Sequence, residues 1–276
     1  MKILTLNIHS YIEQNWEKKL EIFVDTITRI KPDVIALQEV NQRADSETLT
    51  GENDLVFSQF GIKLKKDNYG LRILEELSKR GTKYNFVWLG IKRGFKVFDE
   101  GLCFLCRNSI EDAYAFKISS TDDINNWKKR MALCIESEDE TFVNVHMGRF
   151  DDEEELFLKQ WHKLSEEIKG KSPVWLMGDF NSPSDVKGEG YDSIISSGLY
   201  DTFLLSEKRD SGYTVRGTIA GWEDKECGFE NKRIDYIFTD TKRSINSSMT
   251  IFNGENEPVI SDHFGILLDY EREQNV

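Results

Sequence analysis

The sequence predicts a mixed α and β protein, with mixed or antiparallel sheets, helices outside them, and one polar rim where strand termini meet. Three observations predict it. Nine short runs rich in Val, Ile, Leu, Phe and Tyr recur along the chain, each bounded by turn residues,. Three stretches carry apolar residues at helical spacing,. Polar and ionisable residues end some of the runs and begin others. A purely parallel sheet gathers functional groups at strand ends alone, so a shared rim requires some antiparallel strands.

The β-like runs are "KILTLNI", "DVIALQEV", "YNFVWLGI", "GLCFLCR", "RMALCIE", "TFVNVHM", "PVWLMGDF", "RIDYIFT" and "FGILLDY". In the sixth, Val143, Val145 and Met147 take one strand face and Asn144 and His146 the other. The first helix spans Trp16 to Ile30, with Leu20, Phe23, Val24, Ile27 and Ile30 on one side. The second spans Leu71 to Lys79. The third spans Asp151 to Lys169, with "DDEEE" in its first turn and Gly170 after it, as the helix dipole and a glycine stop prefer. Two stretches read as irregular: a polar loop from Asn41 to Asn68, and a glycine-rich one from Ser206 to Asn231 that carries Tyr213, Arg216 and Trp222. Long loops in compact domains tend to be functional or disordered. No repeat or linker interrupts the 276 residues, so one domain, 1–276, is expected,.

Composition narrows the classes. There are 49 acidic against 36 basic residues, a net charge of -13. Proteins that grip nucleic acid through phosphates show a basic stripe; the nearest thing here is "NWKKRM", Asn126 to Met131. The balance favours a small or locally bound substrate. Cys103 and Cys106 stand three apart, which on a strand puts them on opposite faces. With Cys134 and Cys227 they read as reduced thiols in a cytosolic protein. The first apolar run is too short for a signal peptide, and none reaches the ~20 residues of a membrane span. The cytoplasm is the expected location.

Position carries the functional signal. Asn7, Glu39, His146, Asp179 and Asn181 end strands. Glu100, Arg130 and Asp235 begin them, and Asp262 and His263 immediately precede one. A single Asp or Asn after a strand is ordinarily a turn residue. "GDFN" and "SDH" together, with "LQEV" upstream, point to chemistry. Gly178 would let the backbone turn or approach a neighbour closely.

"TLNI" at Thr5, "LQEV" at Leu37, "GDFN" at Gly178, "RIDYIF" at Arg233 and "SDH" at Ser261 stand in the order seen in the endonuclease/exonuclease/phosphatase superfamily. The chain resembles it from Asn7 to His263. The resemblance implies a four-layer α/β sandwich, two packed mixed sheets flanked by helices, and a phosphohydrolase that depends on Mg²⁺ or Mn²⁺. It implies roles by position. Glu39, Asn7 and Asp262 would hold the metal. Asp179 would orient and deprotonate water, and Asn181 would contact phosphate. His263, with Asp235 as partner, and His146, with Glu100, would bind phosphoryl oxygens, and Arg130 would face the phosphate. The chemistry asks for these types independently. A hard oxygen-bound cation and histidines held charged beside carboxylates neutralise phosphate, and a carboxylate serves as base without a Ser or Cys nucleophile. Abasic-site endonucleases carry an aspartate two residues after the first asparagine. Here that position is His9, which puts a second metal contact in doubt.

For substrate, "LQEVNQ", "FDEGLCFLCR", "VNVHMGRFDDEE" and "GYTVRGTIAGWED" are similar to the bacterial sugar-phosphate phosphatase branch, including maltose 6'-phosphate phosphatases. On that reading Tyr213, Trp222 and Trp127 would stack on a sugar, with Arg149 or Arg216 near phosphate; the alternative for the aromatics is ordinary packing. A nuclease is the competing enzyme reading, disfavoured by the acidity. A binding module is disfavoured because every catalytic position is filled. No segment suggests membrane docking.

Overall fold

The computed structural model describes residues 1–49, 61–94, 96–219, 222 and 231–272. Strand β1 (Lys2–Asn7) leads to α1 (Trp16–Ile30), which buries Leu20, Phe23, Val24 and Ile27 as their spacing requires. Then come β2 (Val34–Gln38), a short β3 (Gln42–Arg43) and α2 (Tyr69–Lys79). Asn68 caps α2, its side-chain oxygen accepting from the Gly70 and Leu71 N–H groups,. There follow β4 (Asn85–Gly94), β5 (Phe98–Cys106), β6 (Asp112–Lys117), β7 (Met131–Ser137), β8 (Glu140–His146), α3 (Phe157–Ile168) and β9 (Val174–Asp179). The remaining elements are α4 (Gly190–Ser196), β10 (Tyr200–Asp201), α5 (Thr202–Leu205), β11 (Ser206–Arg209), β12 (Asp235–Thr239), β13 (Ile245–Ile251) and β14 (Gly265–Tyr270).

Two mixed sheets form. One runs β11-β13-β14-β1-β2-β5-β3, with β4 also paired to β5; the other runs β10-β12-β9-β8-β7-β6. Each combines both directions: β1 lies parallel to β2 and antiparallel to β14, and β9 lies parallel to β8 and antiparallel to β12. The antiparallel neighbours bring strand starts to the rim where β1, β8 and β9 end.

Side-chain alternation builds the layers. Ile3, Ala36, Phe104, Leu133, Phe142 and Met177 meet between the two sheets. Leu4, Ile35 and Leu105 point the other way, under Phe23, Val24 and Ile27 of α1 and Ile73 and Leu77 of α2,. On the far side Val143, Val145 and Leu176 pack under Phe157, Trp161 and Leu164 of α3 and Ile194 of α4. The result is a four-layer α/β sandwich of the DNase I-like kind. Cys103 and Cys106 face opposite layers, and with Cys134 they are buried and unpaired. Cys227 lies outside the described residues.

A polar bridge crosses the apolar layer between the sheets near the rim. Gln38 Nε2 donates to Asn144 Oδ1 at 2.7 Å, and Asn144 Nδ2 donates to the backbone oxygens of Leu37 and Cys103 at 3.0 Å each. Gln38 precedes Glu39, and Asn144 stands two residues before His146, so the bridge lies just beneath the rim.

Three expectations change. Residues 41–68 are not wholly loop: Gln42 pairs with Asp99, Thr48 bridges Lys65, and Ile62 and Leu64 enter the core, while residues 50–60 lie outside the described set. The third helix starts at Phe157, not Asp151. The acidic run before it is spent on other contacts: Asp152 accepts from the Glu154 and Glu155 N–H groups and pairs with Lys128, and Glu155 accepts from the Ser120 N–H. The stretch from Ser206 begins as strand β11, paired with β13, and Val215 bridges both Lys232 and His263. Strands β6 and β13 escaped notice because their polar, partly exposed sequences "DAYAFK" and "INSSMTI" lack an apolar run.

Candidate active site

The strands deliver the predicted residues to one place. Asn7 is the last residue of β1, His146 of β8 and Asp179 of β9; Asp235 is the first of β12. Register puts His146 and Asp235 directly beside Asp179 on either side. Gly178 is needed for this packing. It has a φ of 136°, and a Cβ there would lie 2.0 Å from the Val145 carbonyl oxygen of β8,. Glu39 and Asn181 carry positive φ values of 51° and 47° without being glycine. Such strain is held only where surrounding contacts over-determine it, and it clusters at functional sites.

Asn7 is the hub. Its Nδ2 donates to Glu39 Oε1 at 3.0 Å and to Asp179 Oδ2 at 3.1 Å. Asp179 also accepts the Asn181 N–H at 2.9 Å. His146 Nε2 and His263 Nε2 lie 3.6 and 3.8 Å from Asp179 Oδ2. His263 Nδ1 meets Asp235 Oδ2 at 3.0 Å. Glu39, Asp179 and His263 therefore share one neighbourhood.

The two histidines are not electrostatic twins. Burial works against charging His263, but Asp235 and then Asp179 overcome it and hold its pKa well above the ordinary value. Burial depresses His146, and Arg130, Lys92 and His263 push it further down. The expected pairing with Glu100 does not rescue its charge, because Glu100 Oε1 is 3.8 Å away and is instead 3.1 Å from Lys92 Nζ. Burial and then Asp235 raise Asp179 to about 7, and burial and then Glu100 raise Glu39,.

These carboxylates suit a hard cation. Glu39 is partly buried, and its strongest side-chain neighbour in charge is another carboxylate, Glu100. A divalent ion relieves such crowding through oxygen donors. Among the described residues two donor groups converge with ligand atoms within 4.8 Å of one another: Asp179, Asp235 and His263, and His9, Glu13 and Asp262. Glu39 connects to the first through Asn7 and feels the charges of His9 and Asp262 in the second.

The three expected substrate contacts differ in exposure. Arg130 is buried, with its Nη1 donating to the Trp127 carbonyl oxygen at 3.3 Å. Tyr213 is 45% exposed. Trp222 is 1% exposed and packs with Val215, Ile219 and Ile234. Arg149 and Lys232 lie 5.3 and 5.4 Å from its ring centroid. A ring so enclosed has no face for a sugar, so Trp222 packs instead of stacking on substrate. Its Nε1 instead donates to Asn181 Oδ1 at 3.3 Å.

The family model described as "Endonuclease/Exonuclease/phosphatase family" matches residues 4–263. The chain belongs to this family. A family protein from Leptotrichia buccalis C-1013-b is 32% identical, with a TM-score of 0.84 over 99% of this chain and 100% of that one. The mannosyl-6-phosphatase of Bacteroides thetaiotaomicron VPI-5482 is 17% identical, with a TM-score of 0.61 over 99% of this chain and 100% of that one. A 3' phosphatase from Neisseria, solved with a product DNA hairpin, is 16% identical, with a TM-score of 0.64 over the same shares. No curated protein matches the chain.

The histidine at position 9, where abasic-site endonucleases were expected to carry aspartate, has local partners. His9 Nδ1 lies 2.8 Å from Glu13 Oε1 and 3.4 Å from Asp262 Oδ1, and Lys19 also holds Glu13. Burial lowers its pKa, but Glu13 and then Glu39 and Asp262 raise it to about 9. Sequence reasoning passed over Glu13, Lys92 and Gln38. Lys92 could have been found as a cation closing the apolar run "VWLGIK", and Gln38 as an amide within "ALQEV".

Proposed function

We propose that this chain is a divalent-metal-dependent phosphomonoesterase that acts, as one domain, on a small phosphorylated sugar by direct attack of water. The observation that carries it is the placement of Asp179: buried, bonded by Asn7 and the Asn181 N–H, and flanked by two histidine rings within 4 Å. A carboxylate raised to about 7 is matched to accepting a proton from water near neutrality,. His263, held protonated by Asp235, donates from Nε2 to a phosphoryl oxygen, while the neutral His146 donates or accepts according to its tautomer,. Asn181 gives one amide N–H to the Met147 oxygen and keeps the other for phosphate,. Glu39, Asn7 and Asp262 would hold Mg²⁺ or Mn²⁺, which supplies charge neutralisation on the phosphate and polarises water.

Water rather than a side chain is the nucleophile on this reading. Ser261 Oγ donates to the Asn7 oxygen at 2.7 Å, Ser182 Oγ accepts the Tyr191 N–H at 3.0 Å, and the described cysteines lie in the core. Free thiols agree with a reducing, cytoplasmic setting. No helix among the described residues is long and apolar enough to cross a membrane. The net charge of -13 supports a small phosphate ester over nucleic acid,.

The test is a phosphate-release panel of sugar phosphates, inositol phosphates, nucleotides, and nicked or abasic DNA, with and without chelator. Release from a sugar phosphate, abolished by chelator and restored by Mg²⁺ or Mn²⁺, is expected. Nicking of DNA without release from any small ester would overturn the proposal in favour of a nuclease.

A further inference from the structure

The neighbourhood of Glu100 holds cations the mechanism above does not use. Lys92 stands on β4 directly opposite Glu100 on β5. The pairing shifts register between Gly90 and Lys92, an irregularity of the kind that re-aims a side chain beside a site,. Lys92 Nζ lies 3.1 Å from Glu100 Oε1, and both side chains are largely buried. Arg130 is 6% exposed, its Nε has no hydrogen-bond partner, and among the described residues no carboxylate lies within ion-pair distance of it. Both cations bear electrostatically on His146, whose Nδ1 is also without a hydrogen-bond partner.

The arrangement is tethered to its surroundings. The Arg93 N–H, next to Lys92, donates to the Ile124 oxygen at 2.6 Å, which docks the segment before β7 against the end of β4. Ser119 Oγ accepts the Arg130 N–H at 2.9 Å. Lys128 ties the same segment to Asp152 and Glu154, and Trp127 at its tip is 60% exposed. Lys92 is thus paired with Glu100 and also feels the charge of Glu39, whereas Arg130 beside it has no carboxylate within ion-pair distance among the described residues. A buried charge without a counter-charge is costly, so an anion is the natural complement. A phosphomonoester carries about -1.5 to -2 charges near neutrality, whereas a phosphodiester carries one and brings a second organic substituent that must fit where the cations stand.

We propose that Lys92, backed by Arg130, selects phosphomonoesters over phosphodiesters by holding the additional negative charge of the transferred group. This deepens the phosphomonoesterase reading and rests on it. Glu100 then holds Lys92 in place when no phosphate is present.

The experiment compares the wild-type chain with Lys92→Met, Lys92→Arg and Arg130→Gln, in Mg²⁺, on p-nitrophenyl phosphate and bis-p-nitrophenyl phosphate. It also measures inhibition by inorganic phosphate, and thermal melts confirm folding. Lys92→Met and Arg130→Gln should lower the monoester-to-diester ratio of kcat/KM roughly 30-fold and weaken phosphate inhibition roughly tenfold, the loss of a charge-assisted contact. Lys92→Arg should restore most of both. Equal losses on the two esters with phosphate inhibition unchanged would overturn the inference and leave a structural role for Lys92. A wild-type enzyme that turns over only the diester defeats the phosphomonoesterase reading itself. One that prefers the monoester, with that preference unchanged in a folded Lys92→Met, defeats this inference alone.

Discussion

The indole Nε1 of Trp222 donates to Asn181 Oδ1 across 3.3 Å, and Asn181 Nδ2 in turn donates to the Met147 oxygen at 3.2 Å. The amide is thereby fixed in orientation, with its oxygen turned to the indole and one N–H left over. Trp222→Phe keeps most of the packing and removes the donor. A neutral hydrogen bond is worth about 1 kcal/mol net, so kcat should fall about fivefold while the melting temperature moves little. Steady-state kinetics on a sugar phosphate and on an aryl phosphate check it. Similar losses on both substrates are expected, and a loss confined to KM for the sugar would restore the stacking role.

Asp179→Asn keeps the shape and removes the proposed base. Proton transfer by a positioned side chain contributes about 10²- to 10⁴-fold, so kcat should drop by at least about 100-fold with the fold intact by circular dichroism. Near-normal turnover would assign the base elsewhere.

Glu39→Gln should weaken the metal rather than the protein. Removing one carboxylate from a crowded set relieves repulsion with Glu100 in the metal-free chain, so the metal-free variant should melt no lower than wild type. Its calorimetric affinity for Mn²⁺ should fall by at least about tenfold. Unchanged Mn²⁺ affinity would remove Glu39 from the ligand set.

Stability should fade at alkaline pH. Burial and then Asp201 push the Tyr191 hydroxyl up to about 12, and burial pushes the Cys134 thiol up to about 12. Raised folded-state values mean that stability is complete below the unfolded values, about 10 for Tyr and 8.5 for Cys. It is lost as pH climbs through the folded ones. The urea midpoint should therefore decline from about pH 9 upward, and less steeply in Tyr191→Phe. A flat profile to pH 11 would contradict the burial of both groups.

Much of the fold was legible because it rests on local periodicity. Phe23, Val24 and Ile27 announce the buried face of α1, and runs such as "PVWLM" announce central strands. The rim was legible because a polar residue closing an apolar run stands out, as Asp179 does. What escaped depends on partners distant in the chain. The acidic stretch before α3 resembles a helix start until Lys128 and Ser120 are seen to use it. Trp222 looks like a ligand platform until Val215 and Ile234 close over it. Lys92 gives no signal until sheet pairing puts it opposite Glu100, with Arg130 near enough to act on its charge.

Asn144→Leu tests the bridge between the sheets. It strands Gln38 Nε2 with one fewer acceptor and leaves the Leu37 and Cys103 oxygens without their donor. Unmet buried polar groups cost about 1–3 kcal/mol each, so the urea midpoint should drop clearly, and kcat should drop with it.

The same bridge has a wider consequence. Asn7 and Glu39 ride on one slab of the sandwich, and His146, Asp179 and Asp235 on the other. The catalytic distance is thus a gap between two plates, set by the thickness of Phe104, Met177 and their neighbours. Interior hydrocarbon becomes a kinetic determinant: one methylene more or less between the plates retunes the gap while every reacting side chain stays intact. Selection for turnover in this scaffold would accordingly leave its marks deep in the oily layer as well as at the mouth.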